Sequence, residues 1–265
     1  NIIDWDYTIK DPGFFILPED NRIYRGWKKG GHGDINLSNA IIESSNTFFF
    51  SLAYQSDIDD LTSHLSKFGF GRNICNDCFL PDTGLLPSPA WKMNTHNFGW
   101  FKGDTVNLGV GQGYLSATPI QLAYYAAILA NKGSINRFSF IKDNSLSEED
   151  KLVTNNINIS DWDKMHKSMI GVIDSPKGTA GRLRSLKDYA IAAKSGTVEL
   201  VSTDTKEDYK IIRENEGNRD HAIIIAFGPM PNPEYAVSVV IENGESGGSV
   251  AGPVAIAVMN SLVNR

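Results

Sequence analysis

Lys194-Ser195-Gly196-Thr197 is the stretch on which the reading of this chain turns. It stands between an apolar run that reads as a buried strand, Tyr189-Ala190-Ile191-Ala192-Ala193, and the β-prone Val198-Glu199-Leu200. A lysine, two hydroxyls and a glycine at the rim of such a strand make a compact anion site. Lys194 supplies charge, Ser195 and Thr197 supply donors, and Gly196 removes the side chain that would block a ligand lying along the strand. Alone the pattern arises easily by chance, and an exposed strand end is the bland alternative. A second element changes the weighing. Ser44-Ser45-Asn46 lies far upstream, just before the apolar segment Thr47-Phe48-Phe49-Phe50-Ser51-Leu52-Ala53-Tyr54.

Composition narrows the function classes. With 265 residues and 41% apolar content, the chain is long enough for one large domain or two small ones. A net charge of −6 and the lack of a basic stripe with interleaved aromatics argue against a nucleic-acid partner. No apolar run approaches the ~18 residues that a membrane helix needs. Two cysteines occur, in Cys75-Asn76-Asp77-Cys78. The turn-rich Phe79-Leu80-Pro81-Asp82-Thr83-Gly84 that follows is no redox helix, so a local disulfide or a pair of free thiols is expected there.

Along the chain, residues up to about Gly33 are rich in Pro, Gly and aromatics and read as irregular. A helix is expected from Leu37-Ser38, capped by Ser38, through Glu43, and a buried one capped by Asn46. A third runs Asp59–Phe68 and closes at Gly69. The glycine-rich Asn107–Gly113 lacks the spacing and the βαβ context of a dinucleotide loop. Thr118-Pro119 starts an apolar helix, Ile120–Ala130, that stops at Gly133. Residues 161–175 form a helix ending at Gly178-Thr179-Ala180. A strand, Tyr189–Leu200, leads to a highly charged and therefore mobile loop, Ser202–Asp220. Two strands follow, His221–Gly228 and Tyr235–Glu242, turned by Pro229-Met230-Pro231-Asn232-Pro233, and a helix, Val250–Val263, closes the chain. The three strands read as antiparallel and helix-covered, an α+β class.

S-x-N followed by K-[ST]-G is the order found in penicillin-recognising serine acyltransferases. The chain resembles the transpeptidase domain of class B penicillin-binding proteins, and within them the rod-elongation type, over nearly its whole length. Besides the two motifs, the resemblance rests on Asp11-Pro12-Gly13, Trp27-Lys28-Lys29 with Gly31-His32-Gly33, and Gly103-Asp104-Thr105. Gly109-x-Gly111-Gln112-Gly113 with Ala117-Thr118-Pro119-x-Gln121, Gly178-Thr179-Ala180 and Glu242-Asn243-Gly244 complete it. It implies the penicillin-binding/β-lactamase-like fold, an antiparallel sheet covered by helices. Residues 1–265 would be the C-terminal major part of one transpeptidase domain, without its N-terminal strands and nucleophile helix.

The family's S-x-x-K nucleophile element should precede S-x-N. The one match, Ser139-Phe140-Ile141-Lys142, follows it and is a decoy, so the nucleophile is expected upstream of Asn1. The resemblance assigns Ser44 to proton relay towards the leaving amine and Asn46 to holding the acyl side of the scissile peptide. It assigns Lys194 to the local positive potential, and Ser195, Gly196 and Thr197 to binding the terminal carboxylate. The Thr197 backbone N–H would be half of an oxyanion hole. The plain alternatives are a helix-terminal hydroxyl for Ser44 and simple capping for Asn46. Gly178-Thr179-Ala180 either borders the cleft or is a structural turn.

Some relatives hold zinc near S-x-N with two aspartates, a histidine and a cysteine. Here Asp11 and His32 match, but the other two positions read Gly26 and Ser45, so neither a metal nor any other cofactor is expected. Implied partners are peptidoglycan stem peptides, β-lactam antibiotics, and the glycosyltransferase and shape proteins of the elongation complex. The implied location is the periplasmic face of the inner membrane. A carboxypeptidase or serine β-lactamase, or a non-catalytic penicillin-binding scaffold, are the competing readings.

Overall fold

The computed structural model describes residues 3–75, 77, 82–135, 138–141, 152–153, 157–201 and 210–265. They divide into two compact units, residues 1–121 with 136–152, and residues 122–135 with 153–265.

The first unit opens on four short strands, Thr8–Asp11 (β1), Phe14–Ile16 (β2), Ile23–Arg25 (β3) and Gly33–Asn36 (β4). They correct the expectation of an irregular start. β1 pairs antiparallel with β4 and β2 with β3, so residues 17–22 turn the β2–β3 hairpin, while Pro12-Gly13 and the glycine-rich residues 26–32 carry the chain between the two pairs. Helix α1, Leu37–Ile42, is capped by Asn36, whose side chain accepts from the Asn39 N–H, and not by Ser38. Helix α2, Asn46–Gln55, is capped by Ser45, whose Oγ accepts from the Phe48 N–H at 3.2 Å. Asn46 is therefore the first helical residue and not the cap. Helices α3 (Ile58–Lys67), α4 (Pro89–His96) and α5 (Lys102–Leu108) follow. Asp57 caps α3, matching the expected helix to within one residue. Phe50 of α2 packs with Leu17, Tyr24 and Val106, and Phe48 packs with Ile35 and Ala40. At Gly109 a Cβ would overlap Ala53, so the glycine lets the end of α5 press on α2.

Helix α6, Pro119–Ala130, starts as expected. Thr118 Oγ1 accepts from the Gln121 N–H at 3.2 Å, while Gln121 Oε1 accepts from the Thr118 N–H at 3.0 Å, a reciprocal cap. Gln121 is fully buried, and its Nε2 donates to the carbonyls of Gly69 (3.0 Å) and Thr83 (2.8 Å), with Arg72 O at 3.4 Å. One side chain thus satisfies carbonyls that the local chain leaves unpaired.

Short strands lie at Ser134–Ile135 (β5) and Leu152–Val153 (β6), and helix α7 spans Ile159–Asp174. The second unit is built on strands Ala192–Val198 (β7), His221–Gly228 (β8) and Tyr235–Ile241 (β9), antiparallel in the order β7-β8-β9. The first is shorter than the expected Tyr189–Leu200; the hairpin matches to within a residue. From Ile224 to Gly228 every residue is buried, so both faces of the sheet are covered there. Trp162, Met169, Val172 and Ile173 supply the buried stripe of α7, which packs on β7. The buried His166 bonds Leu129 O at 2.7 Å and lies against Phe227. A π-helical turn, Gly247–Ala251, leads into α8, Gly252–Val263, which packs on β8 and β9.

Of the charged loop, residues 202–209 lie outside the described residues. The rest is tied down, with Arg213 paired to Glu245 at 2.6 Å and Asn243 Nδ2 donating to Gly217 O and Arg219 O. Cys75 is disulfide-bonded; Cys78 lies outside the described residues.

Candidate active site

Ser44 and Asn46 lie in the first unit, at the α1–α2 turn. Ser44 sits at φ 55°, a left-handed conformation that a non-glycine residue rarely adopts. The turn is held from outside. Trp27 Nε1 donates to the carbonyl oxygens of Ser44 (3.0 Å) and Glu43 (3.1 Å), which lays the half-exposed indole over the motif. From below, Ser45 Oγ donates to Asp11 Oδ2 at 2.6 Å while capping α2. Asp11 also accepts from the Gly13 N–H at 2.7 Å and bonds His32 Nδ1 at 2.6 Å. Burial alone would push the Asp11 carboxyl up, but the hydrogen bonds from Ser45, His32 and Gly13 outweigh it and hold it below its ordinary range.

The zinc site raised by the resemblance does not fit this donor set. Asp11 and His32 are bonded to each other, position 26 is a glycine, and the Ser45 hydroxyl, a poor zinc ligand, gives its proton to Asp11. What these residues build is a direct hydrogen-bonded clamp. Ser45→Ala removes both a cap and a donor to a buried carboxylate, and is expected to cost about 2 kcal/mol. Asn46→Ala should cost clearly less. Urea unfolding of the two variants checks the order.

Lys194 to Thr197 lie in the second unit, on β7, paired respectively with Ile225, Ile224, Ile223 and Ala222 of β8. Among the described residues β7 is an edge strand, so one side of its backbone is open to an extended ligand. Lys194 Nζ donates to Ser195 O at 2.7 Å, and burial pushes its ammonium down to about 8. Ser195 Oγ shares a hydrogen bond with Thr179 Oγ1 at 2.8 Å, and Thr197 Oγ1 donates to Glu245 O at 3.4 Å. Gly178-Thr179-Ala180 thus reaches the motif through Thr179. Gly247 closes on Gly196 so tightly that a Cβ there would overlap the backbone of Ile223 and Gly196. The result is a strand end carrying a cation and hydroxyls, with Gly247 packed against its backbone at Gly196. Its chemistry suits a carboxylate.

Ser139 lies in the first unit, its Oγ within hydrogen-bonding distance of Asp77 Oδ2 (2.8 Å) and Ile141 O (2.7 Å), either of which can take its one proton. Lys142 lies outside the described residues.

The model of the penicillin-binding protein transpeptidase domain matches residues 1–260. The chain belongs to that family. As a transpeptidase-family chain it is 39% identical over 257 residues to the peptidoglycan D,D-transpeptidase MrdA of Acinetobacter baumannii, covering 94% of this chain and 38% of the relative. It is 35% identical over 272 residues to MrdA of Haemophilus influenzae, covering 100% of this chain and 42% of that one. The fold matches Pseudomonas aeruginosa PBP2, solved in complex with WCK 5153, with a TM-score of 0.86 at 37% identity over 98% of this chain and 56% of the other. It also matches Helicobacter pylori PBP2 in a complex with MreC, with a TM-score of 0.85 at 29% identity over 99% and 46%. The chain spans about two fifths of the length of these MrdA relatives. The expected α+β transpeptidase fold and the rod-elongation resemblance agree with these likenesses.

Proposed function

We propose that residues 1–265 form the major part of one transpeptidase domain in a peptidoglycan D,D-transpeptidase that cross-links stem peptides by serine acyl transfer. The observation that carries this is the open edge of β7 with Lys194, Ser195, Gly196 and Thr197 along it. A stem peptide's terminal carboxylate would lie on Lys194, Ser195 and Thr197, with its backbone along the strand. A serine outside these residues attacks the D,D-peptide carbonyl, with the oxyanion facing the Thr197 N–H. The amide C–N bond breaks, and Ser44 relays a proton to the departing amine. Asn46 holds the acyl side. The amine of a second stem peptide then attacks the ester and releases the serine. β-Lactams enter by the same route and stop at the ester.

The MrdA likeness supports work at the periplasmic face of the inner membrane. No helix among the described residues is long and apolar enough to cross a membrane. The PBP2–MreC relative supports a shape-protein partner, and a glycosyltransferase partner fits a cross-linking enzyme. The test is intact-mass spectrometry of the full-length protein after benzylpenicillin. One adduct of the drug's mass is expected, mapping to a serine outside residues 1–265. An adduct on Ser44 or Ser139 would overturn the placement.

A further inference from the structure

Beside α4 and α5, within the first unit, lies a cleft of about 320 Å³ whose walls include Trp100, Tyr114, Asn107, Arg22 and Asp104. It involves none of the residues assigned to acyl transfer. Beneath it is a buried cation. Lys92 is 4% exposed, its Nζ bonded to Asp104 Oδ2 at 2.5 Å, with the rings of Phe101, Tyr114 and Trp100 centred 4.8, 5.5 and 6.0 Å from the ammonium. Trp100 is fixed further by Nε1 donating to Thr105 Oγ1 at 2.9 Å, and Asp104 by accepting from the Phe101 N–H at 2.8 Å. Three aromatic rings are thus grouped around one ion pair, while Phe101 and Tyr114 remain 62% and 37% exposed.

We infer that this cleft binds a saccharide, namely the glycan backbone to which the stem peptides are attached. The inference rests on the cell-wall reading above and extends it from the peptide to the sugar. A pyranose ring presents an apolar C–H face and a polar rim. Trp100, and the part of the Tyr114 ring left exposed by its packing on Trp91 and His96, offer aromatic surface for the first, and the Asn107 amide and Arg22 guanidinium offer hydrogen bonds to hydroxyl and N-acetyl groups for the second. The Lys92–Asp104 pair cancels its own charge, which leaves Arg22 as the one uncompensated charge among these wall residues. A volume near 300 Å³ is at the lower end for small-ligand sites and suits one or two sugar rings. An aliphatic peptide side chain would meet charged groups in the wall that it cannot satisfy. Trp100 is already held by its bond to Thr105, so this ring needs little further ordering on binding.

The experiment is calorimetric titration of the full-length protein with tetra-N-acetylchitotetraose, a peptide-free probe. Saturable binding is expected, weakened about tenfold, or 1.4 kcal/mol, by Tyr114→Ala and by Asn107→Ala, with melting temperatures kept close to wild type. No saturable heat from the wild type, equal affinity in both variants, or displacement of the sugar by an apolar peptide would overturn the site. Penicillin adduct formation by the wild type is measured in parallel. Its absence with sugar binding retained would overturn the acyl-transfer reading and uphold this one.

Discussion

Lys194→Ala in the full-length protein is expected to lower the rate of acylation by benzylpenicillin by at least about 100-fold while leaving the fold intact. Loss of one preorganised electrostatic group from an acyl-transfer site has effects of this order. The fold survives because Lys194 is only partly buried, and the neighbours that fill the core are Ala192 and Ala193. Stopped-flow acylation with circular dichroism as the fold control decides it; a wild-type rate would remove Lys194 from the mechanism. Its titration adds a second signature. With the ammonium pushed down to about 8, half of the unliganded protein has lost this cation at that pH. Acylation should therefore fall as pH rises through about 8. Stability moves the other way. Between about 8 and the ordinary lysine value of 10.5 the unfolded chain holds the proton that the folded one has lost, so this group makes folding more favourable with rising pH.

Gly247→Ala is expected to cost about 3 kcal/mol and to slow acylation as well. A methyl group there overlaps the Ile223 carbonyl and the Gly196 backbone, neither of which can yield without shifting β7 against β8. Misplacing the motif strand by even 1 Å is enough to cost about 100-fold in reactivity. Val250→Ala, at a position 40% exposed in the same turn, is the control and should change stability by less than about 0.5 kcal/mol. A Gly247→Ala protein as stable as the control would mean that the turn adapts.

The elements read correctly from the sequence are those with strong local signals. The β8–β9 hairpin shows as apolar strands around a proline-rich turn, and the start of α6 shows as Thr118-Pro119. What was misread depends on partners far along the chain. The β1–β4 and β2–β3 pairs are three or four residues long and carry no periodicity worth reading, so only their pairing defines them. Ser45 and Asn46 are both good caps, and local preference cannot choose between them. The choice is made by Asp11, 34 positions away, which takes the Ser45 proton and leaves Asn46 inside the helix. The same holds for the site. The motif residues were recognisable, but the left-handed Ser44, the Trp27 brace, the Thr179–Ser195 bond and the close approach at Gly247 are products of the folded chain.

Gln121 carries a consequence for the ageing of the molecule. Hydrolytic deamidation would turn its amide into a carboxylate, and the nitrogen now giving protons to Gly69 and Thr83 would become an oxygen facing theirs. A carboxylate would set like against like at a fully buried position, and an acid that took up a proton to avoid this could serve only one of the two carbonyls. The tight enclosure that makes such a lesion costly also shields the amide bond from the water that would cause it, so hazard and protection come from the same burial.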